Sequence, residues 1–352
     1  MWPDKRLCDR LGLRHPIIQA PMAGATTPAM AAAAANAGAL GALGVALSTP
    51  EAAMTDYDAA RGATNGALSL NFFCHKPPRR DVAREAAARA RLAPYYAEFD
   101  LGEPPEPTAT PGFDAARLEM ALAARPVAVS FHFGLPEPGL LAPLKEAGIF
   151  ILCSATSPAE AIQLEAEGAD AVIAQGWEAG GHRGVFDSAQ GWGEMGSMAL
   201  IPAIVDRVSV PVIAAGGIGD GRGIAAAFML GAAGVQLGTA FLTSPEAKVA
   251  APHRAALLAS DGANTGVTEA FSGRPARGVR NRYMEESAGA RHADFPLMNP
   301  LTAPLRAASA RAGSGDFISL WSGQAVGLNR EEGTGAIIAR LAAEALALLE
   351  RR

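Results

Sequence analysis

The sequence predicts an α/β fold: a (β/α)8 TIM barrel carrying a smaller, mainly helical subdomain. Three observations point there. Short apolar runs alternate with helical segments along most of the 352 residues, eight such runs can be counted, and glycine-containing turns stand directly after the last two. Strands separated by helices pair in parallel through right-handed crossovers, and an eight-stranded barrel takes about 250 residues. An open doubly wound sheet would place a glycine-rich phosphate turn after its first strand, and Ala20-Pro-Met-Ala-Gly24 is not one.

The elements follow in order. Residues 17–20 form the first strand, and Thr27-Pro28 then opens a helix with a capping hydroxyl and a proline at its first position. Residues 39–45 are the second strand, and Thr49-Pro50-Glu51 opens the next helix the same way. The third strand covers 68–73, with helices near 81–92 and 115–124. Strands at 127–133 and 149–153 precede a helix capped by Ser157 and stopped at Gly168. The sixth, seventh and eighth strands cover 171–174, 210–215 and 233–237.

Beyond about Ser244 the alternation stops. Residues 244–315 read as the smaller subdomain, rich in Pro and Gly and basic at Arg274, Arg277, Arg280 and Arg282. The barrel takes 1–243 and 316–352, and an amphipathic helix from about Gly333 to Arg351 closes its outer ring.

Composition narrows the function classes. Hydrophobic residues make up 49%, and a net charge of −5 is spread over mixed signs. No basic stripe points to nucleic acid and no polybasic cluster to a lipid surface. Residues 16–50 carry no charge, but Asn36, Pro21 and Pro28 interrupt them, which fits a buried strand–helix–strand rather than a membrane span. Cys8, Cys74 and Cys153 make neither a disulfide framework nor a metal motif, and no apolar leader follows Met1, so a cytoplasmic location is expected. His15, His132 and His182 lie far apart, with no ligand spacing for a metal.

Ligands of such barrels bind at the C-terminal strand ends, and phosphate often sits on the loops after the seventh and eighth strands. Here those loops carry Gly216-Gly217 and Gly238-Thr239, either as a phosphate cradle or as simple turn glycines. A mononucleotide held there would lie over Gln19 to Met22, Asn71, His132 and Gln175. Amide side chains both donate and accept, which suits the pyrimidine edge of a flavin. The run Gln175-Gly-Trp-Glu-Ala-Gly-Gly-His-Arg-Gly184 puts His182 in a loop beside two glycines that let backbone approach a ligand. His132 follows Ser130 by two positions and faces either the mouth or the packed core. Arg183 either binds an anionic substrate or pairs with Glu178 or Asp187.

Taken together, Gln19-Ala-Pro-Met22, the Gly-Gly-His run, Ser130-Phe-His-Phe-Gly134, Ala215-Gly-Gly-Ile-Gly-Asp-Gly221, Gln236-Leu-Gly-Thr-Ala-Phe241 and Trp321-Ser-Gly-Gln324 resemble nitronate monooxygenases of class I, formerly 2-nitropropane dioxygenases. The resemblance runs over most of the chain. It implies FMN held by Ala20, Pro21, Met22, Asn71, Gln175, Gly180, Gly181, Gly216, Gly217, Gln236, Leu237, Gly238 and Thr239, with Trp321 and Gln324 reaching it from the C-terminal segment. It implies His182 as catalytic base and His132 as a second catalytic candidate. The implied activity is FMN-dependent oxidative denitrification of alkyl nitronates such as propionate 3-nitronate, and of nitroalkanes, using O2, by a monomer or homodimer. Two alternatives stand beside it. One is a flavin-dependent enoyl-thioester reductase, against which Arg183 and the Ser130-Phe-His132 run count. The other is a flavin-binding protein without turnover.

Overall fold

A computed structural model describes residues 1–350. Eight parallel strands form one sheet: Ile17–Gln19, Gly41–Gly44, Leu68–Phe73, Ala128–His132, Phe150–Ala155, Ala171–Gln175, Val212–Ala215 and Gly234–Leu237. Each pairs with its neighbour in sequence, the first pairs with the eighth, and a parallel bridge from Ile18 to Leu40 brings the second onto the first. The ring is therefore nearly closed, as the strand count predicts.

The helices start where their caps stand. Thr27, Thr49 and Ser157 each accept a hydrogen bond from a first-turn N–H, and each is followed by proline at the first helical position. Asp114 and Asp220 cap Ala115–Ala124 and Gly221–Met229 in the same manner. Thr334–Leu349 packs against both Gly221–Met229 and Pro28–Asn36, so it fills the outer-ring position between the helices of the seventh and first strands. The sequence extends this helix to Arg351, which lies outside the described residues.

Strand side chains alternate. Val129, Phe131, Ile151, Cys153, Val172 and Ala174 join the core beneath the helices, whereas Ile18, Ala128, Leu152, Ala171 and Ile173 belong to a separate inner cluster closed from below by Leu7 and Leu11 of Arg6–Leu11. Along that inner face the chain turns polar toward the C-terminal ends, at Asn71, Ser130, His132, Ser154, Gln175 and Gln236. The barrel is thus oily at one end and hydrogen-bonding at the other.

The segment 244–315 differs from the helical expectation. It holds Ala251–Ala259, Arg282–Glu286 and Met298–Arg311, but also an antiparallel pair, Thr265–Thr268 and Ala276–Val279. A third strand, Gly181–His182, joins that pair from the loop after the sixth barrel strand, with His182 opposite Ala276. The Gly-Gly-His run is therefore fixed strand rather than flexible loop. The helix expected to end at residue 92 runs on as Val82–Glu98 and buries Leu92 and Tyr96 in a cluster with Leu301 and Leu305. No helix of the described residues is long and apolar enough to cross a membrane.

Candidate active site

The inner polar positions meet at the C-terminal mouth. His132, on the fourth strand, faces this mouth rather than the helix layer, and both ring nitrogens are engaged. Nε2 lies 3.1 Å from the His182 carbonyl oxygen and Nδ1 3.0 Å from Ser154 Oγ. A carbonyl only accepts, so the ring proton sits on Nε2 and the Ser154 hydroxyl donates to Nδ1. Gln175 grips the same segment from below: its amide nitrogen donates to the His182 carbonyl at 2.9 Å and its oxygen accepts the Gly184 N–H at 2.7 Å. The approach is close. A Cβ on Gly184 would stand 3.0 Å from His132 Cε1, inside normal contact.

These contacts hold the backbone of His182 and leave its ring to the mouth. Nε2 lies 2.8 Å from Ser272 Oγ, and Nδ1 has no partner among the described residues. Ser272 Oγ is also 3.2 Å from the Arg274 carbonyl. If the hydroxyl donates to that carbonyl, His182 carries its proton on Nε2 and Nδ1 is a free base. If it donates to Nε2, Nδ1 carries the proton and is a hydrogen-bond donor.

Aromatic rings surround the imidazole: Phe73, Phe133, Phe295 and Trp321 have centroids 6.2, 6.1, 5.6 and 5.6 Å away. Burial, reinforced by the charges of His132 and Arg274, pulls the His182 pKa down to about 3. Burial likewise lowers His132 to about 4, against the opposing hydrogen bond to the His182 carbonyl. Both rings are neutral at pH 7.

Arg183 makes neither expected contact. It is fully buried, and its guanidinium donates to the carbonyls of Gln175, Gly176, Trp192 and Gly193 at 2.7–3.3 Å. It fastens the two ends of the loop after the sixth strand to each other, and its backbone N–H binds the Pro275 carbonyl.

The other side of the mouth is built from backbone. Gly216 and Gly217 have φ of 96° and 72°, which L side chains rarely adopt. A Cβ on Gly238 would stand 3.4 Å from Ala20 Cβ and from Met22 Sδ, so the first and eighth strand ends nearly touch. The Leu237 side chain is buried beneath the helices, leaving only its backbone for the mouth, and its carbonyl accepts from Ala20 N–H. Over these ends lies the segment 321–328. Gly323 N–H donates to Thr239 Oγ at 3.0 Å, Gln324 N–H to the Glu178 carbonyl at 2.9 Å, and the Trp321 carbonyl meets His253 Nε2 at 3.0 Å. Gly180 is wedged under it: a Cβ there would lie 2.5 Å from Gly323 N. Gly217 and Gln324 share a cavity of about 470 Å³ with Glu178, Asp261 and Leu328.

His132, Gln175, His182, Gly238 and Thr239 therefore lie at or just beneath one mouth, with the segment 321–328 over it. The sequence reading missed Ser272 and the aromatic wall of Phe73, Phe133 and Phe295, and noted Arg274 only as a basic residue. Their signal was weak because Ser272, Arg274 and Phe295 come from a segment whose pattern looked helical and peripheral. The pairing of 276–277 with 181–182 carries them in.

Comparison with known proteins agrees with this geometry. A family model described as nitronate monooxygenase matches residues 4–344. A nitronate monooxygenase of Pseudomonas aeruginosa is 45% identical over 328 residues, covering 91% of this chain and 93% of the relative. A solved structure of nitroalkane oxidase from Streptomyces ansochromogenes superposes with a TM-score of 0.91 at 37% identity, over 98% of this chain and 99% of that one. FabK from Thermotoga maritima is more distant, with a TM-score of 0.75 and 29% identity over 98% and 97%. The chain, with its eight-stranded barrel and its strand-paired Gly-Gly-His run, belongs to the nitronate monooxygenase family.

Proposed function

We propose that the chain is an FMN-dependent enzyme that oxidises alkyl nitronates, propionate 3-nitronate among them, with O2 in oxidative denitrification. The observation that carries this reading is His182: a neutral imidazole with one free nitrogen, walled by aromatic rings and set beside a buried cation.

The donor set fits FMN. Thr239 Oγ accepts from Gly323, so its own hydrogen remains to be given to a phosphate oxygen. The positive-φ pair Gly216-Gly217 supplies N–H groups without a Cβ. Asn71 donates to Ser130 O and Oγ, which leaves its amide oxygen as a free acceptor for a flavin edge. Gln175 and Gly181 would support the ring side through the strand they hold, and Trp321 and Gln324 would cover it. The chemistry that bound FMN supplies is acceptance of electrons from the nitronate and their delivery to O2.

The chain's own groups do the rest. A nitronate is already an anion, so His182 need only steady it, with Nδ1–H as donor. A neutral nitroalkane must first lose an α-proton, and the other tautomer offers Nδ1 as the base. The Phe73, Phe133 and Phe295 rings wall the imidazole with apolar surface. His132 positions His182 through the carbonyl contact rather than meeting substrate. Three free cysteines are in keeping with a cytoplasmic enzyme.

Anaerobic mixing of the FMN-loaded protein with propionate 3-nitronate tests the reading: the flavin absorbance changes within seconds, and nitrite appears once air is admitted. An unchanged spectrum contradicts it. Bleaching by a reduced nicotinamide with turnover of an enoyl thioester would establish the reductase alternative instead.

A further inference from the structure

Arg183, Arg274 and Arg277 lie buried around this mouth and Arg306 half-buried behind it, and Arg274 differs in what surrounds it. Arg183 gives its donors to four carbonyls. Arg277 donates to the Trp177 carbonyl and Thr265 Oγ. Arg306 also uses only Nη2, on the Asn299 carbonyl, and leaves Nε unpartnered, but it lies near Tyr96 and Tyr283 and stacks on neither Phe133 nor Phe295. Arg274 is 7% exposed and lies with its guanidinium carbon 4.0 Å from the Phe133 ring centroid and 5.8 Å from that of Phe295, the same two rings that flank His182.

Only one of its nitrogens is used. Nη2 donates to the carbonyls of Val185 and Phe186, Nη1 has no acceptor, and Nε is buried without any partner. Arg274 forms no ion pair among the described residues. Asp294, Glu160, Asp187 and Glu269 act on it through space, but none pairs with it, and a buried cation with unpaired donors is costly unless something completes it. The aromatic faces meet part of that cost. An anion arriving in the pocket would meet the remainder. Behind burial, the Arg274 charge helps to hold His75, His132 and His182 neutral.

The geometry points to Arg274 as the residue by which the substrate pocket recognises negative charge, selecting nitronate anions over neutral nitroalkanes. Its guanidinium supplies the electrostatic attraction, and the Phe133 ring beneath it fixes the plane in which the charge is presented. This rests on the nitronate reading above and assigns a specificity role that the reading does not require.

The test uses the FMN-loaded protein and sodium nitrite, a planar anion with the same two-oxygen head, titrated while the flavin absorbance is followed. Arg274→Gln should weaken nitrite binding by about tenfold or more, and Arg274→Lys by less. FMN content should stay unchanged in both. The kcat/KM for ethyl nitronate should fall by a similar factor, and that for nitroethane by much less. Equal nitrite affinity in all three proteins, or an equal loss on both substrates, overturns the assignment. Should the variants fail to fold, the wild-type protein must still bind nitrite at least about tenfold more tightly than acetone, a neutral planar molecule of similar size. Equal affinities again overturn it. A wild-type protein that binds nitrite selectively but never oxidises a nitronate would instead sink the functional reading and leave the anion site standing.

Discussion

The two sides of the barrel mouth are made of different material. Around Gly216, Gly217, Gly238 and Thr239 the surface is backbone, glycine and one hydroxyl, held down by the segment 321–328. Around His182 it is side chain: four aromatic rings, a serine, and arginines buried without carboxylate partners. The first side needs close approach and N–H groups, which is what a phosphate and a flat ring require. The second needs low dielectric and fixed charge, which is what proton transfer and anion stabilisation require. Under the proposed function, one side would hold the cofactor and the other set the electrostatics.

Changes on each side should separate accordingly. The largest loss of stability is expected between the two, at Arg183→Met. It removes the donors of four loop carbonyls at once, and the cost should be about 3 kcal/mol, read as a shift of the urea midpoint. A shift within the noise would mean that the loop is held by other contacts.

On the cofactor side, Gly180→Ala pushes a methyl group to 2.5 Å from the Gly323 nitrogen. The segment 321–328 must lift, at about 2 kcal/mol, and FMN retention through gel filtration should drop. Full retention would place the flavin away from that segment. Thr239→Val removes one donor and should weaken FMN by about tenfold or less while leaving kcat of the loaded enzyme nearly unchanged. A large fall in kcat would mean that the hydroxyl reaches the reaction.

On the substrate side a pH effect is expected. His132 and His182 have folded pKa values of about 4 and about 3, below an unfolded value near 6.5. At pH 7 both states leave them neutral, so neither contributes. As pH falls below about 6.5 the unfolded chain takes up protons that the folded chain refuses. Stability should therefore decline from about pH 6.5 toward pH 4 and level off near pH 3. Half-buried His253 and buried His292, also lowered to about 4, add to the same slope. Thermal midpoints that stay flat from pH 7 to pH 4 would show that these rings are hydrated.

The contrast also explains what could be read from the chain. The cofactor side lies on consecutive βα units, so its glycines fall at fixed offsets from strand ends, and Gly217 and Gly238 were legible by position alone. So were the caps at Thr27, Thr49 and Ser157, because each acts on its own helix. Ser272, Arg274 and Phe295 reach His182 only through the pairing of residues 276–277 with residues 181–182. A two-residue strand leaves no period in the sequence. Arg183 was misread for a related reason: its charge suggested a carboxylate, whereas its burial directs it to carbonyls. Alternation puts His132 on the same face as Ser130 but leaves mouth or core open, and both that choice and the saturation of its two nitrogens needed the third dimension.

The most direct test of the division is His182→Asn in the FMN-loaded protein, assayed for nitrite release from ethyl nitronate and from nitroethane, with FMN content measured alongside. The account predicts unchanged FMN, a loss of roughly 10²–10⁴-fold on nitroethane and a much smaller loss on the nitronate. Loss of FMN together with both activities, or unchanged turnover of nitroethane, would contradict it.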